Sequence, residues 1–201
     1  MGNDDWYRNQ NWNKNIENEF FIKLNRARNQ RDQYIVIQAL TLSRSYPEVS
    51  LRLIDLYFET RKDDFEQVRA LLARAESFLE LEDISKYIDT CHEIMLRENE
   101  FPNHKTNTYV QYPYNVATRK LQSEYEYASD ILEQNFDQLT FPLDLFMWYA
   151  AKAIIEQSAE YAKKALEAAE VKLSGFRFHQ DVGLVGKEHK NTIKTLVAIN
   201  T

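Results

Sequence analysis

The stretch VRALLARAESFLELEDISKYIDTCHEIM, residues 68–95, decides the fold. Val68, Leu71, Leu72, Ala75, Phe78 and Leu79 recur at the i, i+3, i+4, i+7 spacing of a helix with one apolar face. Ile84, Tyr87, Ile88, Cys91, Ile94 and Met95 repeat that spacing. Between them, the acidic Leu81-Glu82-Asp83 has room only for a tight turn, so the two helices are expected to fold back as an antiparallel hairpin. Upstream, Asp63 and Glu66 have the spacing of a capping box, which opens the first helix there.

The same texture extends in both directions. The chain holds only four glycines and four prolines in 201 residues, so long stretches lack the residues that turns and strand edges need. Ile16, Phe20, Leu24 and Ala27 mark a first helix, and Ile35, Ala39 and Leu42 a second that closes at Tyr46-Pro47. Pro47 suits the first turn of a third helix carrying Val49, Leu53, Leu56 and Tyr57. After Pro113 a helix with Ala117, Leu121, Tyr125, Ala128 and Leu132 is expected. Pro142 opens an alanine-rich helical stretch reaching Leu173, and a last short helix covers 187–197.

Two segments break the pattern. Residues 99–114 hold two prolines and little apolar periodicity apart from tyrosines. Residues 175–186 hold three of the four glycines and read as the one extended, strand-like stretch. With no low-complexity linker, the chain reads as a single all-α domain over 1–201, with an aromatic N-terminal arm (1–13) and a basic C-terminal tail (175–201).

The hairpin over 68–101 resembles a degenerate tetratricopeptide repeat. Leu71 and Phe78 take the large apolar positions, Ala75 the small one where the helices meet, and Ile84 the apolar site after the turn. Tyr87 stands where the pattern prefers a small residue, and Arg74 replaces an apolar one. The chain also resembles a group of bacterial tetratricopeptide-like proteins without assigned activity. That likeness rests on Trp6-Tyr7-Arg8-Asn9 with Trp12, on Phe20-Phe21, Lys23-Leu24 and Arg26-Ala27-Arg28, and on Phe101-Pro102-Asn103. The tail, Gly175-Phe176-Arg177-Phe178-His179 with Gly183-Leu184-Val185, belongs to it too. The resemblance implies a right-handed superhelix of stacked helical hairpins, an α-solenoid, and carries no activity to transfer.

Charge and composition limit the function classes. The net charge is −6, with eight carboxylates against two bases within residues 76–100, so the rest of the chain is neutral in sum. The acidic stretch suits a basic partner, and the absence of a dense basic stripe argues against nucleic acid. No apolar run approaches the roughly 20 residues of a membrane span, and no membrane partner is expected. The first residues lack the basic and apolar regions of a secretory leader, and one cysteine forms no internal disulfide, so a cytoplasmic setting is expected. Cys91 falls on the apolar stripe and reads as core.

No catalytic motif appears. His92-Glu93 lacks the second histidine of a zinc-protease helix because Leu96 stands in its place, and the other histidines are scattered. Neither a metal nor an organic cofactor is expected. Arg177, His179 and Asp181 form the one compact acid–base group, and on an extended segment they would share a side, as in a small hydrolase or nuclease. A tail docked with its polar groups satisfied is the competing reading.

The aromatics point instead to binding. Trp6, Tyr7, Arg8 and Trp12 can grip a peptide or pin the terminus to the core. Tyr109, Tyr112 and Tyr114, close to Arg119, combine contact area with polar tips and suit either recognition or packing. The function expected is a non-catalytic scaffold for a basic protein or peptide, with these residues and Arg177 and His179 as anchors. A sharper form is an immunity protein neutralising a basic toxin. A homo-oligomer built on the aromatic surfaces is a further expectation.

Overall fold

The computed structural model describes residues 5–201, and the first four residues of the expected arm lie outside that range. Ten α-helices and no strand are found among the described residues. The chain is all-helical, as the scarcity of glycine and proline implies.

The residues divide into two compact units, one reaching to Thr108 and the other spanning Tyr109–Thr201, where the sequence reads as a single domain. The first unit contains α1 (Lys14–Leu24), α2 (Arg31–Leu42), α3 (Pro47–Thr60), α4 (Gln67–Glu80) and α5 (Ile84–Glu100). The second contains α6 (Thr108–Thr118, less its first residue), α7 (Tyr125–Gln134), α8 (Pro142–Glu156), α9 (Ala159–Ala169) and α10 (Lys190–Ile199). Each unit has its own core.

In the first unit, helices that follow one another in the chain pack together: α2 with α3, α3 with α4, and α4 with α5, while α2 also reaches α4. Leu71 and Ala75 of α4 and Tyr87, Cys91, Ile94 and Met95 of α5 are buried, which accounts for the apolar stripes. The α4 helix is buried on more than that face. Ala70 and Ala73 are also buried and join the cluster formed by α1–α3, because their small side chains let neighbouring backbones come close. Burial pushes the Cys91 thiol up to about 12, so it is an inert core residue at neutral pH.

Helix boundaries show what local chemistry decides. The α4 helix starts at Gln67, later than the capping box suggests, because Asp63 Oδ1 accepts from the Phe65 amide at 3.0 Å and closes an Asx turn instead. Asp83 caps α5 by accepting from the Lys86 amide at 3.3 Å. Asn13 caps α1 through the amides of Asn15 and Ile16, both at 3.0 Å.

In the second unit, α8 packs along α9, and α10 packs on both. Ala150, Ala151 and Ala153 of α8 and Ala162 and Ala165 of α9 are fully buried, so the interface is built from small side chains. The alanine-rich stretch is two helices rather than one. Gln157 takes a left-handed conformation (φ 52°), the Ser158 amide donates back to the Ala153 carbonyl at 3.1 Å, and the Ser158 hydroxyl caps α9. Pro113 also departs from expectation. It lies inside α6 and is buried, so the helix begins before it, and the irregular segment is confined to residues 101–107. The helix expected after Pro113 is broken at Lys120, and α7 starts at Tyr125.

Candidate functional site

The N-terminal arm is pinned to the first unit. Trp6 meets Phe20 and Tyr34 edge-on or tilted at 5.5 and 4.9 Å, Tyr7 stacks on Tyr34 at 4.5 Å, and Trp12 contacts Phe20 at 5.6 Å. These aromatics are half-buried, and Arg8 is exposed beside the Tyr7 ring at 5.5 Å.

The tyrosine cluster is internal to the second unit. Tyr112 is fully buried and donates to Glu124 Oε2 at 2.7 Å. Tyr114 is buried with its hydroxyl 2.8 Å from His189 Nδ1 and 2.7 Å from Thr192 Oγ1. Tyr109 is half-buried and donates to the Gln138 carbonyl at 3.2 Å. Tyr112 and Tyr114 therefore pack, and neither presents a recognition surface in this conformation. Arg119 is exposed just past α6.

Arg177, His179 and Asp181 are exposed on the α9–α10 connection, which is turned rather than extended. The His179 amide donates to the Phe176 carbonyl at 3.2 Å, and the Val182 amide to the His179 carbonyl at 3.1 Å. The alternate spacing that would align the three on a strand does not apply. Among the described residues no hydrogen bond or ion pair joins them, and no group of three or more His, Cys, Asp and Glu side chains is placed to hold a metal ion. No helix among them is long and apolar enough to cross a membrane.

The acidic stretch is thinner than its count implies. Glu98 is buried and accepts from both the amide and the hydroxyl of Thr106, at 2.7 and 2.6 Å. Burial raises its carboxyl above the ordinary range despite those bonds. Glu76 accepts from Ser43 at 2.6 Å and pairs with Arg44 at 3.2 Å. Glu100 pairs with Arg97 at 2.7 Å. Asp89, Glu80 and Glu93 remain as exposed carboxylates with no ion pair among the described residues.

Asp89 lies on the rim of a groove of about 300 Å³ in the first unit, formed by three helices. Leu51 and Asp55 come from α3, Arg74 and Phe78 from α4, and Lys86, Asp89 and Thr90 from α5. The volume is at the lower limit for a small-molecule pocket and fits one or two amino-acid side chains. Both of its cations are engaged. Arg74 pairs with Asp55 at 3.1 Å and lies over the Phe58 ring at 4.4 Å. Lys86 pairs with Asp83 at 2.6 Å and lies 5.3 Å from the Phe78 ring.

This explains why a charged residue occupies position 74. Its guanidinium bridges α4 to α3 through a carboxylate and an aromatic face at once, a dual role suited to arginine. Arg74 is the one local signal of the groove in the sequence. The other lining residues are separated by up to 39 positions and converge only on folding.

Comparison with models of known protein families, with curated proteins and with solved structures finds no match for this chain.

Proposed function

We propose that the chain is a non-catalytic scaffold that holds a basic protein or peptide segment in the α3–α4–α5 groove. In this reading the helices form tetratricopeptide-like hairpins, α2 with α3 and α4 with α5, stacked in a right-handed superhelix whose groove receives the partner. One observation carries it. The groove's two cations are neutralised by the chain's own carboxylates, while Asp89 has no cation partner among the described residues. An incoming lysine or arginine finds an unanswered carboxylate at the rim, and its aliphatic stem can lie along Leu51 and Phe78.

An exposed ion pair contributes less than about 1 kcal/mol, so Asp89 selects and orients more than it binds. Glu80 on α4 adds to the field that draws a basic segment in, an effect that weakens with salt. Affinity then comes from the apolar surface covered along the groove.

The test is affinity capture with the immobilised chain and its Asp89→Lys variant, washed at low and high salt. A basic protein held by the native chain at low salt, released at high salt and not held by the variant is the expected result. Equal retention by both chains would remove the groove from the account. Asp89 is exposed, so the variant is expected to keep the native melting temperature.

A further inference from the structure

The loop between α9 and α10 keeps apolar side chains in water. Val171, Leu173, Phe176, Phe178 and Val182 are all exposed, Leu173 at 64% and Phe178 at 82%. Thus five of the thirteen exposed large apolar side chains among the described residues fall within twelve positions. Apolar residues scattered singly over a surface need no explanation, but a local concentration of this kind marks an interaction surface.

The loop is braced. The Ser174 amide donates to the Gln180 carbonyl at 2.8 Å, and its buried hydroxyl donates to the His179 carbonyl at 2.8 Å, closing the loop on itself. Phe176 stacks on Phe141 at 4.9 Å. Gly183, at φ 72°, lies so close to the Phe141 ring that a Cβ would come within 2.2 Å of it. Its carbonyl accepts from the Leu143 amide at 2.8 Å in the first turn of α8. Phe176 and Gly183 thus tie the loop to the start of α8, while Leu173 and Phe178 stay exposed. The Arg177 guanidinium lies 5.3 Å from the Phe178 ring.

The connection itself, residues 170–189, balances Lys172, Arg177 and Lys187 against Glu170, Asp181 and Glu188, and α10 adds Lys190 and Lys194 beyond it, in a chain of net −6. Neither Lys172 nor Arg177 pairs with a carboxylate among the described residues.

We propose that this loop docks on an anionic lipid surface, with Leu173 and Phe178 entering the acyl boundary and Lys172 and Arg177 meeting lipid phosphates. Two features favour lipid over a protein pocket. The exposed apolar residues are grouped on one turned loop, and a bilayer interface accepts such a group without a preformed complementary cavity. Lys172 and Arg177, beside the exposed apolar residues and without an ion pair among the described residues, can meet an anionic headgroup layer, which would repel the more acidic remainder of the chain. Docking from one loop differs from spanning, so it is compatible with helices too short and polar to cross a membrane. The proposal is independent of the groove in the first unit.

The test is co-sedimentation of the full chain with vesicles of phosphatidylcholine alone and of phosphatidylcholine mixed with phosphatidylserine, whose negative surface attracts basic segments. The native chain is expected to sediment with the anionic vesicles only. Arg177→Gln is expected to weaken binding about fivefold, the effect of one cation near such a surface. Phe178→Ser with Leu173→Ser is expected to abolish it at unchanged circular dichroism. Because Cys91 is buried, Phe178→Cys offers one accessible thiol for a polarity-sensitive fluorophore. Its emission is expected to rise and shift to the blue on anionic vesicles, a readout that survives any misfolding of the double variant. Failure of the native chain to bind anionic vesicles overturns the proposal, as does an unshifted label. A dimer in sedimentation velocity that Phe178→Ser dissociates, without vesicle binding, also overturns it and assigns the loop to a second copy of the chain.

Discussion

The Gln38 carboxamide and the Asn9 backbone hydrogen-bond in both directions: the Asn9 amide donates to Gln38 Oε1 at 2.9 Å, and Gln38 Nε2 donates to the Asn9 carbonyl at 2.8 Å. Gln38 is fully buried on α2, so a side chain supplies the partners that a neighbouring strand would otherwise give to an arm without secondary structure. The Asn9 side chain adds a third bond to the same Oε1 at 3.0 Å. This clamp and the Trp6–Tyr34 contact explain why the aromatic arm is part of the core.

Replacing Gln38 with Leu leaves two backbone groups of Asn9 without partners. The expected cost is about 1–2 kcal/mol, because Asn9 is half-buried and water replaces part of what its orphaned amide and carbonyl lose. Trypsin cleavage after Arg8 should accelerate, and tryptophan emission should shift to the red as Trp6 and Trp12 are released. Unchanged cleavage would mean that the aromatic contacts alone hold the arm.

Scarce glycine leaves a mark on the helix ends. Glu82, Lys120 and Gln157 all adopt positive φ, at 56°, 57° and 52°, where glycine is usual. Lys120 is exposed and closes α6 through its amide to the Ala117 carbonyl, at 3.1 Å, with the Leu121 amide on the Val116 carbonyl at 3.0 Å. Lys120→Gly should therefore stabilise the second unit by about 0.5–1 kcal/mol, after allowing for the greater freedom of glycine in the unfolded chain. Thermal melts should show a rise of a few degrees. Gln157→Gly should gain less, because Gln157 Nε2 also donates to the Ile154 carbonyl at 2.7 Å.

His189 gives the second unit a pH dependence. Burial depresses its imidazole below the ordinary value, against the opposing pull of Glu188. The folded state thus favours the neutral ring, which packs against Phe146 at 5.2 Å and joins the Tyr114 hydroxyl. Its contribution is present in full above pH 6.5 and is lost as the pH falls through the depressed value. Melting temperatures of the native chain and of His189→Gln, measured from pH 7.5 to 4.5, should converge as the solution is acidified. A constant difference would mean that the ring does not titrate differently on folding.

The elements that were legible in sequence are those whose signal is local. The stripes of α4 and α5 repeat at helical spacing and flank a turn three residues long, so they survive any tertiary context. Pro113 reads as a helix boundary because a proline normally marks one, whereas the helix runs through it with the ring buried. The break at Gln157–Ser158 lacks glycine, so only the capping serine announced it. The groove was not legible because Leu51, Phe78 and Asp89 are brought together by packing, and only the unexpected Arg74 hinted at it. The tyrosines suit either recognition or packing in sequence because composition does not reveal which side of a helix faces the core; Tyr112 and Tyr114 are buried.

The most direct test of the central claim is panning a random dodecapeptide library against the immobilised chain, with the Asp89→Lys variant as counter-selection. The account predicts enriched peptides that place a lysine or arginine beside an apolar residue, bind the native chain more tightly at low salt and lose affinity for the variant. Enrichment of acidic peptides, or of sequences that bind both chains equally, would contradict the assignment of the α3–α4–α5 groove to a basic partner.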